Sequence, residues 1–357
     1  MSQYWSDIVN NLTPYSPGEQ PKVDHLVKLN TNENPYGPSP KVLDAIRAAT
    51  HDSLRKYPDP SATVLKQSIA DYYKLDLDQV FVGNSSDEVL AHTFRGLLKH
   101  DKPLLFPDIT YSFYPVYCAL YEIEYRQIPL ADDFSIALDD YADNAGAIIF
   151  ANPNAPTGIA LKREQIKELL ESQPSTVVVV DEAYADFSTE SAVSLIERYP
   201  NLLITQTVSK SRSLAGLRVG LALAQPPLLE ALERLKNSFH PYALDTLAVV
   251  GASAAFEDQD YFKECCRKII NTRERFSLSL QKLGFKVLES KANFVFATHP
   301  QYQAARIYQA LRENNFLVRY FDQARIQNYV RISIGTDQDM DALLSCLETL
   351  LQSDNLS

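Results

Sequence analysis

The chain has 357 residues, more than one hydrophobic core usually serves, so two domains or a large domain with an appendage are expected. Hydrophobic residues at 45% and charged residues at 22% match folded globular proteins and exclude a disordered chain. The 34 Lys+Arg against 45 Asp+Glu give a net charge of -11, with no basic patch to offset it, which excludes nucleic acid as an expected partner.

The first stretch carries Pro14, Pro17, Pro21, Pro35, Pro38 and Pro40 and reads as an extended arm that packs on a later unit or on a partner subunit. It has no basic segment followed by an apolar run, and no apolar run in the chain reaches the ~20 residues of a membrane helix. Residues 81–88 run from a strand into a helix, with Ser86 and Asp87 at its start. Free N–H groups there suit a phosphate or an ordinary cap. Apolar runs at 104–106, 147–150, 176–180, 202–205 and 218–224 read as buried strands, and helical patterns fall at 86–99, 163–171 and 226–237. Alternating strand and helix predicts a doubly wound α/β domain, its sheet largely parallel and covered on both faces.

After about residue 259 the texture changes to a long amphipathic helix over 259–283, ending at Gly284. Strands then read at 285–289, 293–298, 316–321 and 329–334, with helices at 301–314 and from Asp337. The expected division is an arm over 1–40, a large domain over 41–270 and a small α+β domain over 271–357. Cys118, Cys265, Cys266 and Cys346 show no CxxC spacing, and no histidine pair has metal-ligand spacing. No metal site is expected, and a reducing, cytoplasmic setting fits best.

Three polar stretches follow predicted strands. Four valines precede Asp181, Glu182, Ala183 and Tyr184, so Asp181 sits at the carboxyl end of a buried strand, where open α/β sheets place ligands. There it needs a cation or donors, or else it faces solvent as an acidic turn. Thr207, Ser209, Lys210, Arg212 and Arg218 lie between apolar segments. Hydroxyls and arginine suit a phosphate, and a lysine in a dry electropositive site loses its proton and becomes a nucleophile; the plainer reading is a polar loop with solvated charges. Residues 151–158, Ala-Asn-Pro-Asn-Ala-Pro-Thr-Gly, make a rigid turn.

In chain order, NPNAPTG at 152–158, DEAY at 181–184 and SKSRSLAGLRVG at 209–220 resemble the fold-type I pyridoxal-5′-phosphate (PLP) aminotransferases. LNTNENPYGPSP at 29–40 and RKYPDPSA at 55–62 are similar to their histidinol-phosphate branch, and the likeness runs from residue 12 to 336. The resemblance implies that Lys210 bonds PLP covalently and moves the substrate Cα proton, that Asp181 pairs with the pyridinium nitrogen and that Tyr184 binds the ring oxygen. It implies further that Thr207, Ser209 and Arg218, with the backbone at Ser86 and Asp87, hold the phosphate and that Tyr111 stacks on the ring. The family's usual asparagine before Pro-Thr-Gly is Ala155 here, so either Asn154 reaches the ring or Tyr184 acts with water.

On the substrate side the resemblance points to Arg331 and Arg319 as anion-binding residues, with Tyr15 and Asn32 as further contacts. Tyr57 would reach the PLP phosphate of a neighbouring subunit, which implies a homodimer with shared active sites. A sheet-edge ion pair is the plainer reading of Arg319, and packing that of Tyr15. The implied reaction is transamination between L-histidinol phosphate and 2-oxoglutarate. An aromatic amino-acid aminotransferase and an amino-acid-phosphate decarboxylase are the alternatives.

Overall fold

A seven-stranded sheet organises the larger part of the chain, in the order Val80–Asn84, Val219–Ala224, Leu202–Thr207, Val177–Asp181, Ala147–Ala151, Leu104–Pro107 and Tyr125–Ile128. Only Val219–Ala224 runs against its neighbours. The computed structural model describes residues 2–353 apart from 16–17, 20, 22–24, 142–143 and 189, so Pro17 of the predicted arm lies outside the described residues.

Strand geometry turns successive side chains to opposite faces. Val178 and Val180 therefore join one hydrophobic cluster with Ile148, Phe150 and Ile204, while Val179 joins another with Ile149 and Leu203. Burial on both faces explains why these strands read as unbroken apolar runs, each buried valine contributing about 1.5–3 kcal/mol relative to exposure. The edge strand Tyr125–Ile128 buries only Ile128 and had no such signature.

A third cluster lies under a four-stranded antiparallel sheet with Phe294–Thr298 and Val330–Ser333 at its centre. The predicted strand at 316–321 is divided. Phe316–Leu317 pairs in parallel with Val27–Lys28, whereas Arg319–Tyr320 pairs with Val330–Ser333. Buried Val318 lies between the two pieces. The proline-rich arm also differs from its reading as extended throughout. Pro40 opens the helix Pro40–Ala49, whose first turn is capped by the Ser39 side chain.

The helix Gln259–Lys282 passes through residue 270 without a break, and Phe262, Cys266, Ile269, Phe276 and Leu280 along it all belong to the third cluster. The expected boundary at 270 therefore falls inside one amphipathic element that faces the C-terminal core along its length. No described helix is long and apolar enough to cross a membrane.

Candidate active site

Parallel pairing brings the carboxyl ends of the central strands together: Ala151 is the register partner of Asp181, and Asp181 of Thr205. Because Val219–Ala224 runs the opposite way, its beginning meets those ends, and Arg218 joins them with a left-handed φ of 54°. Gly220 then lies against the first turn of the helix Ser85–Leu97, where a Cβ would come within 2.3 Å of Ser86 N and 2.4 Å of Ser85 C. Only glycine admits this approach.

These ends open into a cavity of about 230 Å³ lined by Ser86, Asp87, Tyr111, Asp181, Tyr184, Thr207, Ser209, Lys210 and Arg218. A second lobe of about 270 Å³ carries Tyr15, Asn32, Arg319 and Arg331. Lys210, Tyr111, Tyr184, Thr31 and Ala155 border both lobes, so Lys210 stands at their junction.

Asp181 is 4% exposed. Tyr114 donates its hydroxyl to Oδ2 at 2.9 Å and Thr205 to Oδ1 at 3.2 Å. Burial pushes the carboxyl up to about 6, against these two donors and the Ala183 backbone N–H. Among the described residues it has no cationic partner, so this carboxylate is suited to receive a cation from a ligand. Sequence reading missed both supporting residues, and only the strand register exposes Thr205.

Lys210 Nζ donates to the Thr31 carbonyl at 2.8 Å. Burial lowers the amine to about 8; Arg331, Lys28 and Arg218 add to the effect and Glu33 opposes it. Asn34 Nδ2 donates to the carbonyls of Lys210 at 3.0 Å and Ser211 at 3.1 Å, fixing the turn that carries the lysine. Arg218 Nη2 donates to Ser85 Oγ at 2.9 Å and to Asp87 Oδ2 at 2.8 Å. Thr207 Oγ1 donates to Ser209 Oγ at 2.8 Å. Hydroxyls, a guanidinium and a helix N-terminus thus converge at one end of the first lobe.

Tyr184 is held from the N-terminal side, accepting at its hydroxyl from Asn32 Nδ2 at 2.9 Å. Asn32 has a left-handed φ of 57° and is fixed in turn by Ser333, which donates to its Oδ1 at 2.8 Å, and by Asn293, which donates to its carbonyl at 2.9 Å. Arg331 Nη2 donates to the Asn30 carbonyl at 2.8 Å, while its buried Nε has no partner among the described residues. Arg319 is the register partner of Arg331, and Tyr15 packs on Phe113 at the rim.

Two predicted residues stand elsewhere. Asn154 does not reach the cavity. Its Nδ2 donates to the Ile109 carbonyl at 2.9 Å and its Oδ1 accepts from Thr110 at 2.8 Å, so the carboxamide is consumed by the segment that follows the strand Leu104–Pro107, and Ala155 faces both lobes. Tyr57 is 83% exposed and stacks on Tyr242, away from the cavity of its own chain.

The family model for aminotransferase class I and II matches residues 24–347. A Pseudomonas aeruginosa protein named histidinol-phosphate aminotransferase 1 is 59% identical over 350 residues, covering 98% of this chain and 100% of that protein. A Pseudomonas fluorescens protein of the same name is 58% identical over the same share of both. Among solved structures, histidinol-phosphate aminotransferase from Sinorhizobium meliloti in complex with pyridoxal-5′-phosphate aligns with a TM-score of 0.89 at 26% identity, covering 99% of each chain. With the family model matching residues 24–347 and relatives 58–59% identical over nearly the whole length, the chain belongs to the aminotransferase class I and II family.

Proposed function

We propose that this chain is a PLP-dependent aminotransferase that exchanges the amino group between L-histidinol phosphate and 2-oxoglutarate, a reversible step of histidine biosynthesis. The observation that carries the reading is the position of Lys210 between a buried carboxylate without a cation and a lobe holding two opposed arginines. Relatives of that name at 58–59% identity support it.

The residues of the first lobe fit this cofactor. Asp181 lacks the positive partner that a pyridinium provides, Tyr184 and Asn32 form a paired contact for a ring oxygen, and Arg218, Ser209 and Thr207 make a cradle for a dianionic phosphate. When bound, the cofactor supplies an aldehyde carbon that bonds amines and a cationic ring that accepts the electron pair left when a substrate Cα loses its proton.

The chain's own groups do the rest. Lys210, with its amine lowered to about 8, is partly unprotonated near neutral pH, and after release it takes the Cα proton and returns it. With the cofactor bound, Asp181 would hold the proton on the ring nitrogen and Tyr111, which lines the same lobe, would shield the ring. Arg331 and Arg319 receive a carboxylate in one half-reaction and a phosphate in the other, since planar guanidinium forks suit both anions.

The proposed enzyme is a cytoplasmic homodimer. Exposed Tyr57 points to contact with a neighbouring subunit's cofactor phosphate, and four cysteines without a disulfide suit a reducing compartment. Turnover of purified protein with histidinol phosphate and with phenylalanine, at equal 2-oxoglutarate, tests the substrate. Faster use of phenylalanine, or carbon dioxide release without consumption of 2-oxoglutarate, overturns it. Sedimentation at assay concentration tests the dimer.

A further inference from the structure

Arg212, two residues beyond Lys210, is 6% exposed and borders neither lobe. Its guanidinium carbon stands 3.8 Å from the ring centroid of Phe256, 4.0 Å from that of Phe262 and 4.8 Å from that of Tyr72. Nη1 donates to the Ala255 carbonyl at 2.7 Å, but Nη2 has no hydrogen-bond partner and no carboxylate forms an ion pair with the group among the described residues. Burying a cation with a donor unmet is costly, and aromatic faces offset that cost through their negative quadrupole. An apolar side chain would fill the same space without it. The arginine is distinguished by a flat, stackable head that also reaches a carbonyl.

The three rings come from different parts of the protein. Phe256 belongs to the cluster under the seven-stranded sheet, Phe262 to the C-terminal cluster, and Tyr72 packs against both. Phe256 lies in the last turn of the helix Thr246–Glu257 and Phe262 in the first turn of Gln259–Lys282, so the guanidinium is wedged at the joint where the chain leaves one core for the other. On the other side of the same turn, Asn34 holds the carbonyls of Lys210 and Ser211, and the Ser211 hydroxyl donates to Asp186. The lysine backbone is therefore gripped from two directions.

We infer that Arg212 is a positioning residue, which, wedged between the two cores, fixes the Lys210 backbone so that the amine stays inside the cavity at the Thr31 carbonyl. This rests on the reading of Lys210 as the cofactor-bearing amine. Loosening the wedge lets the lysine swing toward water, where its amine returns toward the ordinary lysine value and its aim is lost.

The test compares wild type with Arg212→Leu and Arg212→Lys. Three readouts are taken: acetic anhydride labelling of Lys210 against pH in cofactor-stripped protein, the pH titration of the visible band in the loaded enzyme, and kcat and KM. For Arg212→Leu the labelling midpoint is expected to rise by about one unit, and kcat to fall roughly ten- to a hundredfold with KM nearly unchanged. Arg212→Lys keeps the charge and loses the stack, and should fall between the two. If Arg212→Leu does not fold, Phe262→Leu, which removes one face of the wedge, is expected to shift the same readouts in the same direction. A lower melting temperature with labelling midpoint and kcat at wild-type values, in whichever variant folds, overturns the inference. Absence of a lysine-bound visible band in the wild type sinks the proposed function instead, while the labelling arm still reports on Arg212.

Discussion

Arg319 and Arg331 are direct register partners in an antiparallel strand pair, two like charges facing one lobe. Arg319 has no hydrogen-bond or ion-pair partner among the described residues, and its charge helps burial to hold the Arg331 guanidinium below its usual value. Like charges directly opposite destabilise a sheet by roughly 0.2–1 kcal/mol. The arrangement makes sense when an anion lies between them. Arg319→Gln is therefore expected to raise the melting temperature of the ligand-free protein slightly while weakening anionic substrates about tenfold or more. Arg331→Gln should raise KM for glutamate further still. Calorimetry and steady-state kinetics on the same preparations check both, and a lower melting temperature for Arg319→Gln would count against the repulsion.

Asp181 carries a similar tension. A carboxyl whose folded value, about 6, lies above its ordinary 3.8 binds more protons when folded, so stability falls as pH rises between these values and the loss is complete above them. Holding the carboxyl at about 6 corresponds to about 3 kcal/mol in the cofactor-free protein. Asp181→Asn should consequently melt higher than wild type at pH 8 without cofactor. The gap should close near pH 4, and the loaded variant should lose activity by orders of magnitude. An equal or lower melting temperature at pH 8 would refute the stability half of this prediction.

Tyr114 is fully buried and donates to Asp181, favouring the ionised form. In Tyr114→Phe the carboxyl rises further, so the acid limb of kcat/KM is expected to move up by about one pH unit. An unmoved limb would mean that Thr205 and the Ala183 N–H suffice.

Gly220→Ala places a methyl group against the backbone of Ser85 and Ser86, so the helix start must retreat from the phosphate end of the cavity. Cofactor affinity, read by equilibrium dialysis, is expected to fall about tenfold or more, as for a site missing the helix N-terminus. Wild-type affinity would show that the helix start does not hold the phosphate.

Much of this site was legible in the sequence because strand ends are easy to find. Asp181 follows four valines and Lys210 follows the strand Leu202–Thr207, so apolar runs mark where their side chains emerge. The supporting residues were not legible, because support comes across the sheet or from another element. Thr205 meets Asp181 through strand register, and Tyr114 through a helix packed on the same face of the sheet as Val179. The choice between Asn154 and Tyr184 acting with water turned on position in three dimensions. The Asn32 carboxamide reaches Tyr184, 152 residues away, while the Asn154 carboxamide is spent on Ile109 and Thr110, beyond the strand Leu104–Pro107. The split at Val318 was hidden because two short strands with different partners make one apolar stretch.

The pairing of Val27–Lys28 with Phe316–Leu317, and the grip of Ser333 on Asn32 over 301 residues, bear on how the protein is made. Translation proceeds from the N-terminus, so Asn32 leaves the ribosome long before its anchors exist. The wall that shelters the lysine must therefore be the last part of the catalytic chamber to set. Vitamin B6 is then received by a nearly finished polypeptide, not by a growing one.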